Sequence, residues 1–265
     1  GTGFATHDFN HIKRHIPEDA RASLVDVTSA FGVLSLMGPE ARHILEAVAE
    51  GDVGADAFPF LTAREIQIGG APVRALRLTY VGELGWELHV PTEYMLTVYE
   101  ALSEAGAAFG LVDASYRAID SLRLEKGFRH WGHDIGSEDN LIQAGLSFAA
   151  KPDAGDFIGR EAFLQQKNAG LPDRRMVQFL LDEPEPLLYH NEPIVMDGRT
   201  VGYLTSGMYG HSVGAAIGMG YVVAPGLTAE RIREATFEIE IAKQRYRAQA
   251  SLRAFYDPSA SRMKS

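Results

Sequence analysis

Between Leu76 and Val90 the chain alternates apolar and polar positions in two runs joined by a glycine-bearing turn. A period of two on either side of such a turn predicts a β-hairpin. In the first arm Leu76, Leu78 and Tyr80 share one face; in the second, Trp86, Leu88 and Val90 share a face and leave Glu87 and His89 on the other. A carboxylate between a tryptophan and a leucine, on a strand covered from both sides, carries a large desolvation cost unless hydrogen bonds are donated to it. A bound ligand is one such donor.

Around this hairpin the pattern predicts further elements. His7 to Ile16 has helical spacing, with Phe9, Ile12 and Ile16 on one side, and stops at Pro17. Its histidines His7, His11 and His15 recur every fourth residue, a spacing that suits a metal on a helix face and equally a solvated face; without a further ligand in the pattern no metal is assigned. Leu24 to Thr28 and Phe31 to Met37 read as strands, and the proline of Gly38-Pro39-Glu40 opens a helix running through Val48. Arg64 to Ile68 and Pro72 to Thr79 form a strand pair over Gly69-Gly70. Thr92 is the expected cap of a helix that fades at Gly106, and Asp113 that of a helix from Ala114 to Lys126, ended by Gly127. On this last helix Asp120, Arg123 and Glu125 sit among Ile119, Leu122 and Leu124, which predicts internal ion pairs, Arg123 with Asp120 or Glu125, that hold it against the sheet. His130, His133 and Asp134 follow in a glycine-flanked loop, read as a loop clamp in preference to a metal site.

A short helix to Lys167 ends at Gly170, and the charged connector after it marks a domain boundary near residue 170. Beyond it Met176 to Leu181, Glu192 to Met196, Thr200 to Thr205, Ile217 to Val222, Phe237 to Ala242 and Tyr246 to Leu252 are short strands punctuated by turns such as Asp197-Gly198. The fold class is therefore α+β: antiparallel sheets covered by helices over residues 1–170, then a small antiparallel β-barrel over residues 171–265.

Composition narrows the function. A chain of 265 residues with 46% apolar and 23% charged residues buries a substantial core. A net charge of -10 argues against nucleic-acid or anionic-membrane partners, because phosphate contact needs concentrated Lys and Arg. The absence of cysteine excludes disulfides, thiolate zinc sites and a cysteine nucleophile, and it permits a reducing compartment, the bacterial cytoplasm or the mitochondrial matrix. No apolar run approaches the ~20 residues of a spanning helix, and residues 1–16 contain no signal-peptide core. With no initiator methionine, the chain is expected to start downstream of the gene's first codon. The glycines of "GAAIGMGYV" lack the dinucleotide spacing, and there is no Walker motif, G-x-S-x-G elbow or HExxH.

Seven segments in order, "TYVGELGWELHVP", "AIDSLRLEKG", "FRHWGHDI", "QAGLSF", "DFIGREAF", "GYLTSGMYG" and "YDPSASRM", resemble the folate-binding aminomethyltransferase family. That family includes the glycine cleavage T-protein and the C-terminal half of sarcosine and dimethylglycine dehydrogenases. "LRLEKGFRHWG" and "FYDPSASRM" look most like the dehydrogenase branch. The resemblance implies a T-protein-like folate-binding domain, N-terminally incomplete over residues 1–170, with tetrahydrofolate as cofactor. It implies that Glu87 binds the pterin ring and that Tyr80 lines the same pocket. A carboxylate suits that role as an acceptor for the adjacent amino and ring N–H groups of a pterin edge. Where T-proteins have an arginine for the folate tail this chain has Ile119, which cannot pair with a carboxylate. The resemblance places the general-base aspartate upstream of Gly1, so no catalytic residue is assigned within the chain, and places FAD only on an upstream flavin domain. The implied function is the tetrahydrofolate-binding part of a demethylating amine dehydrogenase, with a methylated amine as substrate and methylenetetrahydrofolate as product. The alternatives are a stand-alone aminomethyltransferase of glycine cleavage and a non-catalytic folate-binding or assembly module.

Overall fold

A computed structural model describes residues 2–265, which fold as two compact units. The first comprises residues 2–79, Glu83–Asp113 and Arg262–Ser265; the second comprises Tyr80–Gly82 and Ala114–Ser261.

In the first unit, α1 (Ala5–His15) precedes β1 (Phe31–Met37), α2 (Ala41–Val48), β2 (Ala49–Glu50), β3 (Ala63–Ile68), β4 (Ala71–Leu76), β5 (Gly85–Pro91) and α3 (Met95–Gly106). The strands form one antiparallel sheet in the order β1-β5-β4-β3-β2. Register decides which face is core. Leu34, Leu88 and Ala75 are cross-strand neighbours, as are Leu36 and Trp86, and this face packs on Ile44 and Leu45 of α2 and Val98 and Leu102 of α3. The opposite face carries Ser35, Glu87 and Leu76 in one row and Val33, His89 and Arg74 in the next.

Three predicted features differ here. The first hairpin arm stops at Leu76, because the Arg77 backbone pairs instead with residues 61 and 62: its N–H donates to Thr62 O at 2.9 Å and its carbonyl accepts from Leu61 N at 2.8 Å. Leu24 to Thr28 forms no strand, since Asp26 Oδ1 accepts from Thr28 N at 2.9 Å and curls the chain in an Asx-type turn. Neither expected helix cap acts as one. Thr92 Oγ1 donates to Ser29 O, and Asp113 Oδ2 accepts from the Tyr99 hydroxyl.

The second unit holds α4 (Tyr116–Glu125), α5 (Arg160–Asn168), β6 (Arg174–Leu181), β7 (Pro193–Met196), β8 (Arg199–Gly210), β9 (Ala215–Val223), α6 (Ala229–Glu234), β10 (Phe237–Ile241) and β11 (Gln244–Ser251). Strands β6 to β11 close into a barrel in the order β10-β11-β6-β9-β8-β7, with β10 returning to pair with β7. Its interior is apolar: Phe179 and Phe237 stand with ring centroids 5.4 Å apart among Leu181, Ile194, Leu204, Val222 and Ile239. On the outside, Leu124 of α4 packs on Met176, Ile217, Met219 and Tyr221. An antiparallel sheet with covering helices and a closed antiparallel barrel is the α+β architecture read from the sequence.

Candidate functional site

Strand β5 is hydrogen-bonded on both sides, so its side chains can leave only by the two faces. Trp86, Leu88 and Val90 are fully buried against the core, as their parity predicts. Glu87 and His89 emerge half-buried on the other face, where Glu87 Oε2 lies 3.8 Å from His89 Nε2. Among the described residues nothing donates a hydrogen bond to the Glu87 carboxylate. His89 also lines a groove of about 630 Å³ whose walls include Phe9, Ile12, Val27, Phe31 and Val33. The face therefore presents an acceptor beside an apolar channel.

Beneath Glu87 the strand is anchored by a pair of arginines. Arg77 keeps the parity of Val73 and Ala75 and so turns to the core face: it is 1% exposed, its guanidinium 4.7 Å from the Trp86 ring centre. Arg42 approaches the same ring at 5.2 Å. Both arginines donate to Ser265 O, and Arg77 also donates to Gly85 O. Burial, reinforced by the neighbouring Arg42 charge, pulls the Arg77 pKa down to about 10. No pattern in the sequence marks this pair, because its partners are main-chain carbonyls, which any residue type supplies.

Tyr80 belongs to the second unit. Its hydroxyl donates to Arg129 O at 3.0 Å, and its ring lies parallel to that of Phe128, 6.0 Å between centroids and 9° between planes. Burial raises its pKa; Asp134 and Asp120 add to the shift and Arg123 opposes it. Phe128 is placed by the end of α4, where Gly127, at φ +68°, donates to Leu124 O and Phe128 N donates to Arg123 O, both at 2.9 Å. This pair of bonds is a Schellman motif, and it confirms Gly127 as the residue that ends the helix.

Of the internal ion pairs expected on α4 only Arg123 with Asp120 forms, at 3.4 Å, and the shorter pair of Arg123 is with Asp134 outside the helix. Arg123, 3% exposed, donates to Asp134 Oδ2 at 2.6 Å, to Ser206 Oγ at 2.8 Å and to Phe128 O at 3.2 Å, with Asp120 Oδ1 3.4 Å from its Nε. Asp134 is the loop clamp: besides Arg123 it accepts from His130 N at 2.8 Å and from the Thr205 hydroxyl at 2.6 Å. A β-bulge between Leu204 and Ser206 turns Thr205 and Ser206 toward this pair. Glu125, fully buried, accepts instead from the backbone of Ser212 and Val213. The remaining ring of the loop, His130, lies with Nδ1 3.9 Å from Asp120 Oδ1 and its centroid 4.5 Å from that of His133. Its pKa is lowered, first by burial and then by Arg123 and His133, against the pull of Asp120 and Asp134. On α1 the three histidines are exposed; His7 pairs with Asp8 and His15 with the His11 carbonyl. Among the described residues no helix is long and apolar enough to cross a membrane.

Sheet, barrel and the charged α4 loop together define a class, and comparison with known families agrees. Residues 1–154 match the GCVT N-terminal domain and residues 174–257 the glycine cleavage T-protein C-terminal barrel domain. The chain belongs to this aminomethyltransferase-like family. It is 38% identical, over all of its length, to the mitochondrial sarcosine dehydrogenase of Homo sapiens, of which it spans 29%. It is 36% identical to the aminomethyltransferase of Halothermothrix orenii, covering 81% of this chain and 58% of that one. Its fold matches the crystal structure of glycine cleavage system aminomethyltransferase T from Bartonella henselae with a TM-score of 0.78, at 24% identity, over 94% of this chain and 65% of that one.

Proposed function

We propose that this chain is the tetrahydrofolate-binding portion of a flavin-dependent, N-demethylating amine dehydrogenase of the sarcosine or dimethylglycine type. The observation that carries the reading is the Glu87 carboxylate, held on a doubly paired strand and given no hydrogen bond by any of the described residues. A pterin edge offers two adjacent N–H groups, and a carboxylate on a rigid strand accepts both as a charge-assisted pair. The residues therefore fit the cofactor. Bound tetrahydrofolate would supply the nitrogen nucleophile that takes up the one-carbon unit. Glu87 fixes the ring and the apolar groove beside His89 excludes water from the ligand's body; Tyr80 is proposed as a folate contact on the resemblance alone. The methylated amine and the flavin that oxidises it belong, in this reading, to the larger enzyme, since the chain spans less than a third of the sarcosine dehydrogenase it resembles.

A stand-alone aminomethyltransferase of glycine cleavage is the second reading, favoured by 36% identity to the Halothermothrix orenii protein. The match to the human dehydrogenase runs over the whole chain, whereas that one covers 81%, and this favours the first. Two measurements test the proposal. Titration calorimetry with 5-formyltetrahydrofolate is expected to show saturable binding, and its absence would remove the folate reading. Aminomethyl transfer from a lipoyl carrier at a rate matching an authentic T-protein would favour the second reading over the first.

A further inference from the structure

We infer that Arg123 and Asp134 are positioning residues for Tyr80: the buried pair sets the loop that fixes both the ring and the hydroxyl of that side chain. The inference rests on the folate reading for its functional meaning, and on geometry alone for the positioning.

Tyr80 sits outside any strand, so the strand ladder does not orient it. What holds it is the Phe128 ring on one side and the Arg129 carbonyl at its hydroxyl. Both come from one short stretch, and that stretch is tied at each end to the same ion pair. Arg123 Nη1 donates to Phe128 O at 3.2 Å, and Asp134 Oδ2 accepts from His130 N at 2.8 Å. Arg129, between these ties, also donates through Nε to Ala144 O at 3.0 Å. The pair is itself fixed from the barrel, by Thr205 Oγ1 on Asp134 Oδ1 and Ser206 Oγ on Arg123 Nη2, both delivered by the bulge in β8.

An arrangement made only to join α4 to β8 would need Arg123, Asp134 and the two hydroxyls. It would not need Asp134 to accept the His130 N–H as well, nor Arg123 to reach the Phe128 carbonyl. Those two bonds restrain the backbone on either side of Arg129, whose carbonyl receives the Tyr80 hydroxyl. An ion pair buried to this extent tolerates little displacement, so the loop and the tyrosine inherit its rigidity.

The test is carried out on the 265-residue chain with 3-fluorotyrosine placed at position 80, together with 5-formyltetrahydrofolate titrations. Asp134→Asn keeps the side-chain shape and removes the charge. It is expected to shift or broaden the fluorine resonance of residue 80 and to weaken folate binding about tenfold in the parent background. In a Tyr80→Ala background the same change is expected to alter binding by less than about twofold, because its effect passes through the missing ring. Should Asp134→Asn fail to fold, Thr205→Val, which removes one hydrogen bond to the same carboxylate, is read in the same way with a smaller effect. An unchanged resonance in a folded variant overturns the positioning role, as does an equal loss of binding with and without the Tyr80 ring. If the parent chain binds no folate, the folate reading fails by itself, and the fluorine resonance still decides whether the pair positions Tyr80.

Discussion

Arg123 Nη1 donates to Asp134 Oδ2 at 2.6 Å, with the arginine side chain 4% exposed and the aspartate side chain 0%. Removing one member of a buried pair leaves the other charge desolvated and unpaired, at about 3–5 kcal/mol. Arg123→Ala is therefore expected to lower the ligand-free melting temperature by roughly 6–20 °C for a chain of this size. An unchanged melt with lost folate binding would make Arg123 a ligand residue and not a structural one.

Glu87→Gln replaces the charged acceptor with a neutral amide of the same shape. Losing one charge-assisted hydrogen bond costs roughly 1.5–3 kcal/mol, about ten- to a hundred-fold in affinity for a reduced folate. Calorimetry on the two proteins is the comparison, and equal affinities would sink the assignment of Glu87.

Gly82 stands at φ +80°, and a Cβ built there would come within 2.8 Å of the Lys126 side chain. Lys126 has little freedom to withdraw, because its Nζ is held 2.8 Å from Asp257 Oδ2 with both side chains buried. Gly82→Ala therefore meets backbone strain and crowding together, and about 1–3 kcal/mol of destabilisation is expected by urea unfolding. A loss below about half a kilocalorie would show that the segment relaxes.

His130 is expected to titrate below the ordinary histidine value near 6.5. Its protonated form is disfavoured in the folded chain, so the unfolded chain takes up this proton first on acidification. Stability from this group is whole above the unfolded value and falls as pH drops through the window between the two values. Because Asp120 opposes the shift, Asp120→Asn is expected to move the midpoint further down. Imidazole resonances followed by NMR across pH 4–8 check both; a midpoint that rises in the variant contradicts the geometry.

Much of the fold was legible because the side-chain period is local. Phe31 to Met37 is a strand with the bounds its alternation predicts, and the parity of Trp86, Glu87 and Leu88 placed each on the correct face. Six apolar runs beyond residue 170 became the six strands of the barrel. The misread elements share a cause. In each a side-chain oxygen bonded elsewhere: Thr92 and Asp113 hold Ser29 and Tyr99 in place of the helix ends they were expected to cap, and Asp26 closes a turn onto Thr28 where a strand was expected. Clusters such as Asp134 with Thr205 depend on a bulge in β8, which has no signature in a single sequence.

The closing of the barrel has a consequence for how the chain is made. During synthesis β6, β9, β8 and β7 emerge before β10 and β11, and until those two are added β6 lacks its β11 neighbour and β7 its β10 neighbour. A nascent chain halted before Phe237 thus carries two unsatisfied strand edges flanked by Phe179 and Ile194, side chains that are fully covered only after closure. Premature stop codons in this last stretch should yield sticky, protease-sensitive products and not shortened working proteins, because the final hairpin is the piece that seals the circle.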